Sequence, residues 1–202
     1  MSAVETIDAY MHGHVHALSS YFLPGPRPTL VEPGPTSSLD NVISALEDRG
    51  VTPEDLAWIV VTHVHLDHGG GAGALAERFP NATVVVHVEG ARHLVDPSRL
   101  VASATRVYGE EQMAELWGSV DPVPEERLLV VDEGDRIELG GGRHLEVLYT
   151  PGHAKHLMCL IDSDTGGVFV GDAVGITLPG SNLVRPTVPP PDIDPDLLVE
   201  QM

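Results

Sequence analysis

Four residues of metal-ligand type fall within six positions: His63, His65, Asp67 and His68, in the run Thr62-His63-Val64-His65-Leu66-Asp67-His68. Imidazole nitrogens and carboxylate oxygens are donors that zinc and iron both accept. A polar loop of solvated histidines is the ordinary alternative, but it gives no reason for donors packed this densely. The run follows directly on the apolar stretch Ala57-Trp58-Ile59-Val60-Val61, which reads as a buried strand. A strand end hands the chain to a loop, and a loop can turn several side chains toward one point.

The same arrangement recurs twice. Thr150-Pro151-Gly152-His153 follows an apolar strand ending at Tyr149, and Gly171-Asp172 follows one ending at Val170. A glycine next to a ligand lets the backbone turn sharply and approach a metal closely. Three strand ends, each bearing a ligand, would make one site at one edge of a sandwich.

The elements that must hold these ends in place are legible in outline. Tyr21-Leu23 and Thr29-Val31 are short strand candidates separated by the turn Pro24-Gly25-Pro26. Ser37 or Ser38 can cap a helix running to about Arg49, with Leu39, Val42, Ile43 and Leu46 as its apolar stripe and Gly50 as its stop. A second helix is expected near Ala72-Phe79, then a strand at Thr83-His87. Residues 90–118 read as a helical insertion that roofs one side of the core. From Leu128 onward the pattern is one of strands: Leu128-Val131, Arg136-Leu139, His144-Tyr149, Leu157-Asp162 and Gly167-Val170. The stretch from Leu178 to Pro195 is proline-rich and irregular, and Asp194-Pro195-Asp196 reads as a helix start. Two β-rich halves, each with helices, suggest an α/β sandwich of two sheets with helices outside.

Taken in order, these motifs resemble the metallo-β-lactamase superfamily, with the glyoxalase II-like branch as the nearest pattern. The resemblance implies an αββα four-layer sandwich, with two mixed β-sheets flanked by helices. It also implies roles: His63, His65 and His153 hold a first metal, Asp67 and His68 a second, and Asp172 bridges both. Zinc is the expected cofactor, two ions in a complete domain, with iron or manganese as alternatives. The superfamily usually supplies a further histidine to the second metal, and no histidine follows His156. The expectation is therefore one domain over residues 1–202 whose C-terminal part is absent. Glu32-Pro33-Gly34 stands where many relatives carry Asp-x-Gly, so the Glu32 carboxylate could buttress the metal loop; a plain turn is the other reading.

The implied activity is that of a metal-dependent hydrolase, in which a metal-bound hydroxide attacks the carbonyl of an ester, thioester or lactone. Asp67 would both ligate and orient the nucleophile. True β-lactamases typically lack the bridging aspartate that Asp172 supplies, which argues against antibiotic hydrolysis. One alternative is a mononuclear iron persulfide dioxygenase of the same fold, with its iron on His63, His153 and Asp172. Another is a non-catalytic metal-binding domain, suggested by the missing last ligand.

Charge narrows the partners. Thirty acids face eleven bases, for a net charge of −19. Such a surface repels phosphate backbones and anionic membranes, which leaves a small-molecule substrate as the expected partner. A homodimer is compatible, since an exposed edge could be buried against a copy. One cysteine, Cys159, in an apolar stretch, allows no intrachain disulfide and reads as a buried thiol. With no leader-like N-terminus and no membrane-length apolar run, a cytoplasmic location is expected.

Other histidines are weighed by position. His12, His14 and His16 alternate, so on a half-exposed strand they would share one face. His156 is either a partner to a ligating histidine or a strand-start residue facing solvent. His87 is expected to be structural or to support a ligand, and His93 and His144 to lie on the surface. Tyr108 and Trp117 either line a substrate mouth or belong to the core. Arg185 could meet an acidic substrate group.

Overall fold

The computed structural model describes residues 4–177, 183–188 and 193–201. The chain opens with β1 (Glu5–Asp8), β2 (Ser19–Leu23) and β3 (Thr29–Val31), followed by α1 (Leu39–Glu47) and β4 (Trp58–Val60). The single turn α2 (Leu66–Gly69) carries the second half of the His-rich run, and α3 (Ala72–Arg78) leads to β5 (Thr83–His87). Three helices then connect β5 to β6 (Leu128–Val131): α4 (Val88–Val95), α5 (Ser98–Tyr108) and α6 (Glu110–Leu116). The remainder comprises β7 (Arg136–Gly140), β8 (Arg143–Tyr149), β9 (Met158–Asp162), β10 (Val168–Phe169), the small pair β11 (Ile176–Thr177) and β12 (Val184–Arg185), and α7 (Pro195–Gln201). Within the expected irregular stretch 178–195, residues 178–182 and 189–192 lie outside the described residues.

The first sheet has the order β1-β2-β3-β4-β5-β6 and the second β10-β9-β8-β7. The first is mixed: β1 to β3 pair antiparallel, and β3 to β6 pair parallel. The second, also expected to be mixed, is antiparallel throughout its described strands. The reason is connectivity. Short links join β7 to β8 and β9 to β10, whereas parallel neighbours need a long crossover such as the helical links between β3, β4, β5 and β6.

The apolar pattern of each strand follows from these layers. Leu30, Ile59, Val84 and Val86 face one way and pack against Leu46, Leu75 and Phe79 of the helical side. Val31, Val60 and Val85 face the other way and meet Leu145, Val147, Met158 and Leu160 of the second sheet. Strands covered on both faces read as continuous Val/Ile runs, which is why β4 and β5 are so apolar. A bond from the Met158 N–H to the Thr62 carbonyl, at 2.9 Å, ties the start of β9 to the end of β4. That bond brings the two sheets together where the ligand-bearing ends emerge.

The expected strand through His12, His14 and His16 does not form. Met11–Gly13 is a short 3-10 turn, and His12 and His16 have φ of 54° and 60°. Asp8 explains this: its carboxylate accepts the Tyr10 N–H at 3.0 Å and the His16 N–H at 2.8 Å, folding the segment into a loop. Alternation in sequence specifies a strand only where a neighbour supplies a ladder. No described helix is long and apolar enough to cross a membrane.

Candidate metal centre

The end of β4, the loop after β8 and the end of β10 converge as the sequence suggested. The donor atoms of His63, His65 and His153 lie within 4.8 Å of one another, and so do those of His63, His68 and Asp172. Asp172 spans the two groups: one carboxylate oxygen is 3.3 Å from His68 Nε2, the other 3.5 Å from His153 Nε2. Asp67 lies 3.4 Å from His68 Nε2 and is half exposed, at the boundary between two clefts.

Backbone geometry delivers each donor. Asp172 arrives through Gly171, whose φ is 47° and where a Cβ would come within 2.5 Å of Thr62 Oγ1. Only glycine tolerates both the left-handed conformation and the close approach. His153 Nδ1 faces the Thr187 carbonyl and hydroxyl, each at 3.0 Å; donation to the carbonyl would leave the Nε2 lone pair for the site. His63 Nε2 is fully buried and has no hydrogen-bond partner among the described residues. An orphaned buried nitrogen is rare in a folded protein. Here it points into a set of donors that suits a metal ion.

The electrostatics also fit a cation. Burial, with help from His68 and the other neighbouring histidines, holds the His63 imidazole well below its ordinary range. Burial and His153 push His65 down to about 4. Both rings are therefore neutral at pH 7, the form that binds metal. His68 behaves oppositely. Burial penalises its charge, yet Glu32, Asp67 and Asp172 surround it and hold its imidazole well above the usual range. Three carboxylates thus share one imidazolium. A donor set so rich in negative charge is suited to a divalent cation.

Two residues support this shell from outside. Glu32, with φ of 63°, accepts the Thr62 N–H at 3.1 Å and pairs with His68 Nδ1. It therefore holds both ends of the His-rich run, and the buttress expected of it is present in place of a plain turn. His156 is buried, not solvent-facing. Its Nδ1 accepts the Val64 N–H at 3.3 Å, fixing the backbone between His63 and His65. His87 is buried and stacks on Tyr149 with centroids 4.2 Å apart, outside the donor groups. His93, expected on the surface, faces His156 edge-on at 6.1 Å and borders a cleft over the site. Its neighbour relations depend on how α4 packs, which spacing in sequence does not reveal.

Glu32→Gln is expected to weaken metal affinity roughly 10- to 100-fold, because outer partners orient the ligands and raise their basicity. Competition with a chromophoric chelator measures this, and an unchanged affinity would deny Glu32 the buttressing role.

Two clefts flank the donors. One, of about 1060 Å³, is bordered by His14, His16, Glu32, Asp67, His68 and Asp172. The other, of about 600 Å³, opens on the opposite side over His65, His153 and Asp172, under α5. Tyr108 and Trp117 border it, with ring centroids 5.5 Å apart; Trp117 is buried and Tyr108 exposed. Both readings of this pair thus hold in part. Arg185 is exposed on β12 and borders neither cleft.

A two-sheet sandwich with helices outside and a His/Asp centre at one edge defines a class. The chain belongs to the metallo-β-lactamase superfamily, whose family model matches residues 12–200. Among curated proteins it is similar to the metallo-beta-lactamase fold-containing protein ST1585 of Sulfurisphaera tokodaii, 31% identical over 141 residues, covering 68% of this chain and 51% of that protein. It is also similar to an N-acyl homoserine lactonase of Bacillus cereus, 30% identical over 130 residues, covering 64% of this chain and 42% of the lactonase. The chain thus spans about half the length of these two relatives. The crystal structure of ST1585 superposes with a TM-score of 0.79 at 26% identity, covering 100% of this chain and 74% of that one.

Proposed function

We propose that this protein is a metal-dependent hydrolase of small-molecule esters, thioesters or lactones, with zinc held by His63, His65, Asp67, His68, His153 and Asp172. The observation that carries the reading is the Asp172 carboxylate, with one oxygen toward each of two donor groups. The lactonase relative supports a carbonyl ester as substrate. When bound, the metal supplies a water of pKa near 7 and a Lewis acid for the carbonyl oxygen.

The chain's own residues do the rest. His63 and His65 present neutral nitrogens, and His153 turns Nε2 toward them. The Thr187 carbonyl orients His153, and Glu32 and His156 keep the loop from shifting. Asp67 and Asp172 both border the two clefts beside His68, and Asp67 is the more exposed of the two, so its carboxylate can accept a hydrogen bond from the attacking water and aim it. The cleft under α5 is bordered by Leu66, Leu100, Val107 and Trp117, which exclude water from the acyl side of a substrate.

Against the oxygen-dependent alternative, His65 Nδ1 lies 3.0 Å from His153 Nε2 and would be a further donor beside His63, His153 and Asp172. That crowds the open face an iron oxygenase needs. The test is a titration of metal-stripped protein with zinc, manganese and ferrous iron. Turnover of a phenyl ester, an acyl thioester and an N-acyl homoserine lactone is followed with and without oxygen, and that of a thiol persulfide beside them. Zinc at about 100 times its Kd is expected to add about 2.7 kcal/mol of stability, raising Tm on the order of 5–10 °C, and to restore oxygen-independent hydrolysis. Metal binding without turnover of any of the three would favour a binding domain. Oxygen-dependent turnover of a persulfide would favour the dioxygenase.

A further inference from the structure

Helix α5 is unusual in having no buried residue although it covers a cleft. Two adjacent stripes, Arg99-Ser103-Arg106 and Leu100-Ala104-Val107, border that cleft, and Leu100 and Ala104 pack toward Leu66 and Trp117. Leu66 stands between His65 and Asp67 in sequence. The apolar stripe therefore lies next to the candidate metal residues, with the guanidinium-bearing stripe beside it.

The arginines matter because cations are scarce and mostly committed. Arg49, Arg78, Arg136 and Arg143 are paired with Glu5, Glu47, Glu146 and Asp162. Arg127 donates to backbone carbonyls of Ala76, Phe79 and Ala82, and Arg27 lies over the Trp58 ring. Among the described residues, no carboxylate lies within 4.0 Å of the charged groups of Arg99 and Arg106. The acid nearest Arg99 in sequence, Asp96, accepts the Ser98 N–H at 3.1 Å and feels the Arg99 charge without pairing with it, and the acid nearest Arg106, Glu110, opens the next helix. The two arginines are seven positions apart, roughly 10 Å along α5. In a chain of net charge −19 an anionic ligand is repelled at long range, so it needs a local cation to bind. Guanidinium is the donor best matched to carboxylate or phosphate.

We propose that the cleft under α5 selects substrates that carry an apolar acyl arm and an anionic group, the arm along Leu66, Leu100 and Val107 and the anion on Arg99 and Arg106. The placement of the reacting carbonyl rests on the hydrolase reading above; the anion site does not. The variant is Arg99→Gln with Arg106→Gln in the zinc-loaded full chain. Both arginines are exposed, so the fold does not depend on them. The probe is 1-octanesulfonate, a poor metal ligand, followed by calorimetry, with 1-octanol as the neutral control. The Kd for octanesulfonate is expected to rise at least tenfold in the variant, while that for octanol moves less than twofold. Added salt should weaken octanesulfonate binding to the wild type only.

In a second measurement, the ratio of kcat/KM for mono-p-nitrophenyl adipate to that for p-nitrophenyl hexanoate should fall at least tenfold in the variant. Equal octanesulfonate affinity in both proteins, or none in the wild type, overturns the proposal. Loss of octanesulfonate affinity in the variant, with neither ester hydrolysed by the wild type, would uphold the anion site and overturn the hydrolase reading instead.

Discussion

Alanine at Asp67 is expected to lower kcat for an ester or lactone roughly 10²- to 10⁴-fold, the range for losing a group that hydrogen-bonds and aims the nucleophile. Asp67 is the second residue of the single turn α2, and its side chain is half exposed, so it contributes little to packing. Burial works against its charge, but His68, His65 and its own backbone hold its carboxyl at about 2, and it stays ionised across the working range. His63, His65 and His153 do not depend on it for their position. The variant should therefore keep its fold and at least one metal while losing turnover. Metal analysis beside single-turnover kinetics checks both halves. Full turnover with the metal retained would remove Asp67 from the mechanism.

The second large effect is on stability and lies away from the site. Asp162, fully buried at the end of β9, accepts two bonds of 2.8 Å from the Arg143 guanidinium, itself only 5% exposed. It also accepts the Thr165 hydroxyl at 2.7 Å and the Asp164 N–H at 3.2 Å. Asp162→Asn removes the carboxylate charge that pairs with the buried guanidinium, which costs about 3–5 kcal/mol, and Tm should fall on the order of 10 °C. The pH dependence has a definite sign. Burial raises the Asp162 carboxyl, but Arg143 and Thr165 outweigh it and hold it below its ordinary range. A depressed folded-state value means the stabilisation is present above the unfolded value near 3.9 and is lost as pH falls through the folded one. The Tm difference between wild type and variant should hold from neutral pH to about pH 4 and shrink below it. A difference that persists undiminished at pH 2 would show that the pair's charge is not what stabilises the second sheet.

The convergence of the donor groups was legible because each follows an apolar strand and belongs to a donor type, so two independent signals coincide at His63, His153 and Asp172. The supports were less so. Glu32 becomes a buttress only because its left-handed backbone turns the carboxylate toward Thr62 and His68, which a Glu-Pro-Gly spelling does not disclose. His156 binds a backbone N–H ninety-two residues away in the chain, and His93 reaches it through the packing of α4. At His12 to His16 the alternation was real, but Asp8 captured the backbone first. The arginines of α5 carried no sequence signal at all; only the removal of every other pairing makes them conspicuous.

The three helices between β5 and β6 have a consequence for how such a protein can change. No candidate ligand lies on α4, α5 or α6, and neither β5 nor β6 delivers one. The ligand-bearing ends belong to β4, β8 and β10. Mutation can therefore rewrite the roof of the cleft, lengthen it or exchange its arginines without disturbing the strands that hold the candidate metal centre. The roof of the cleft and the candidate metal ligands are thus carried on separate stretches of chain, so the one can vary while the other stays fixed.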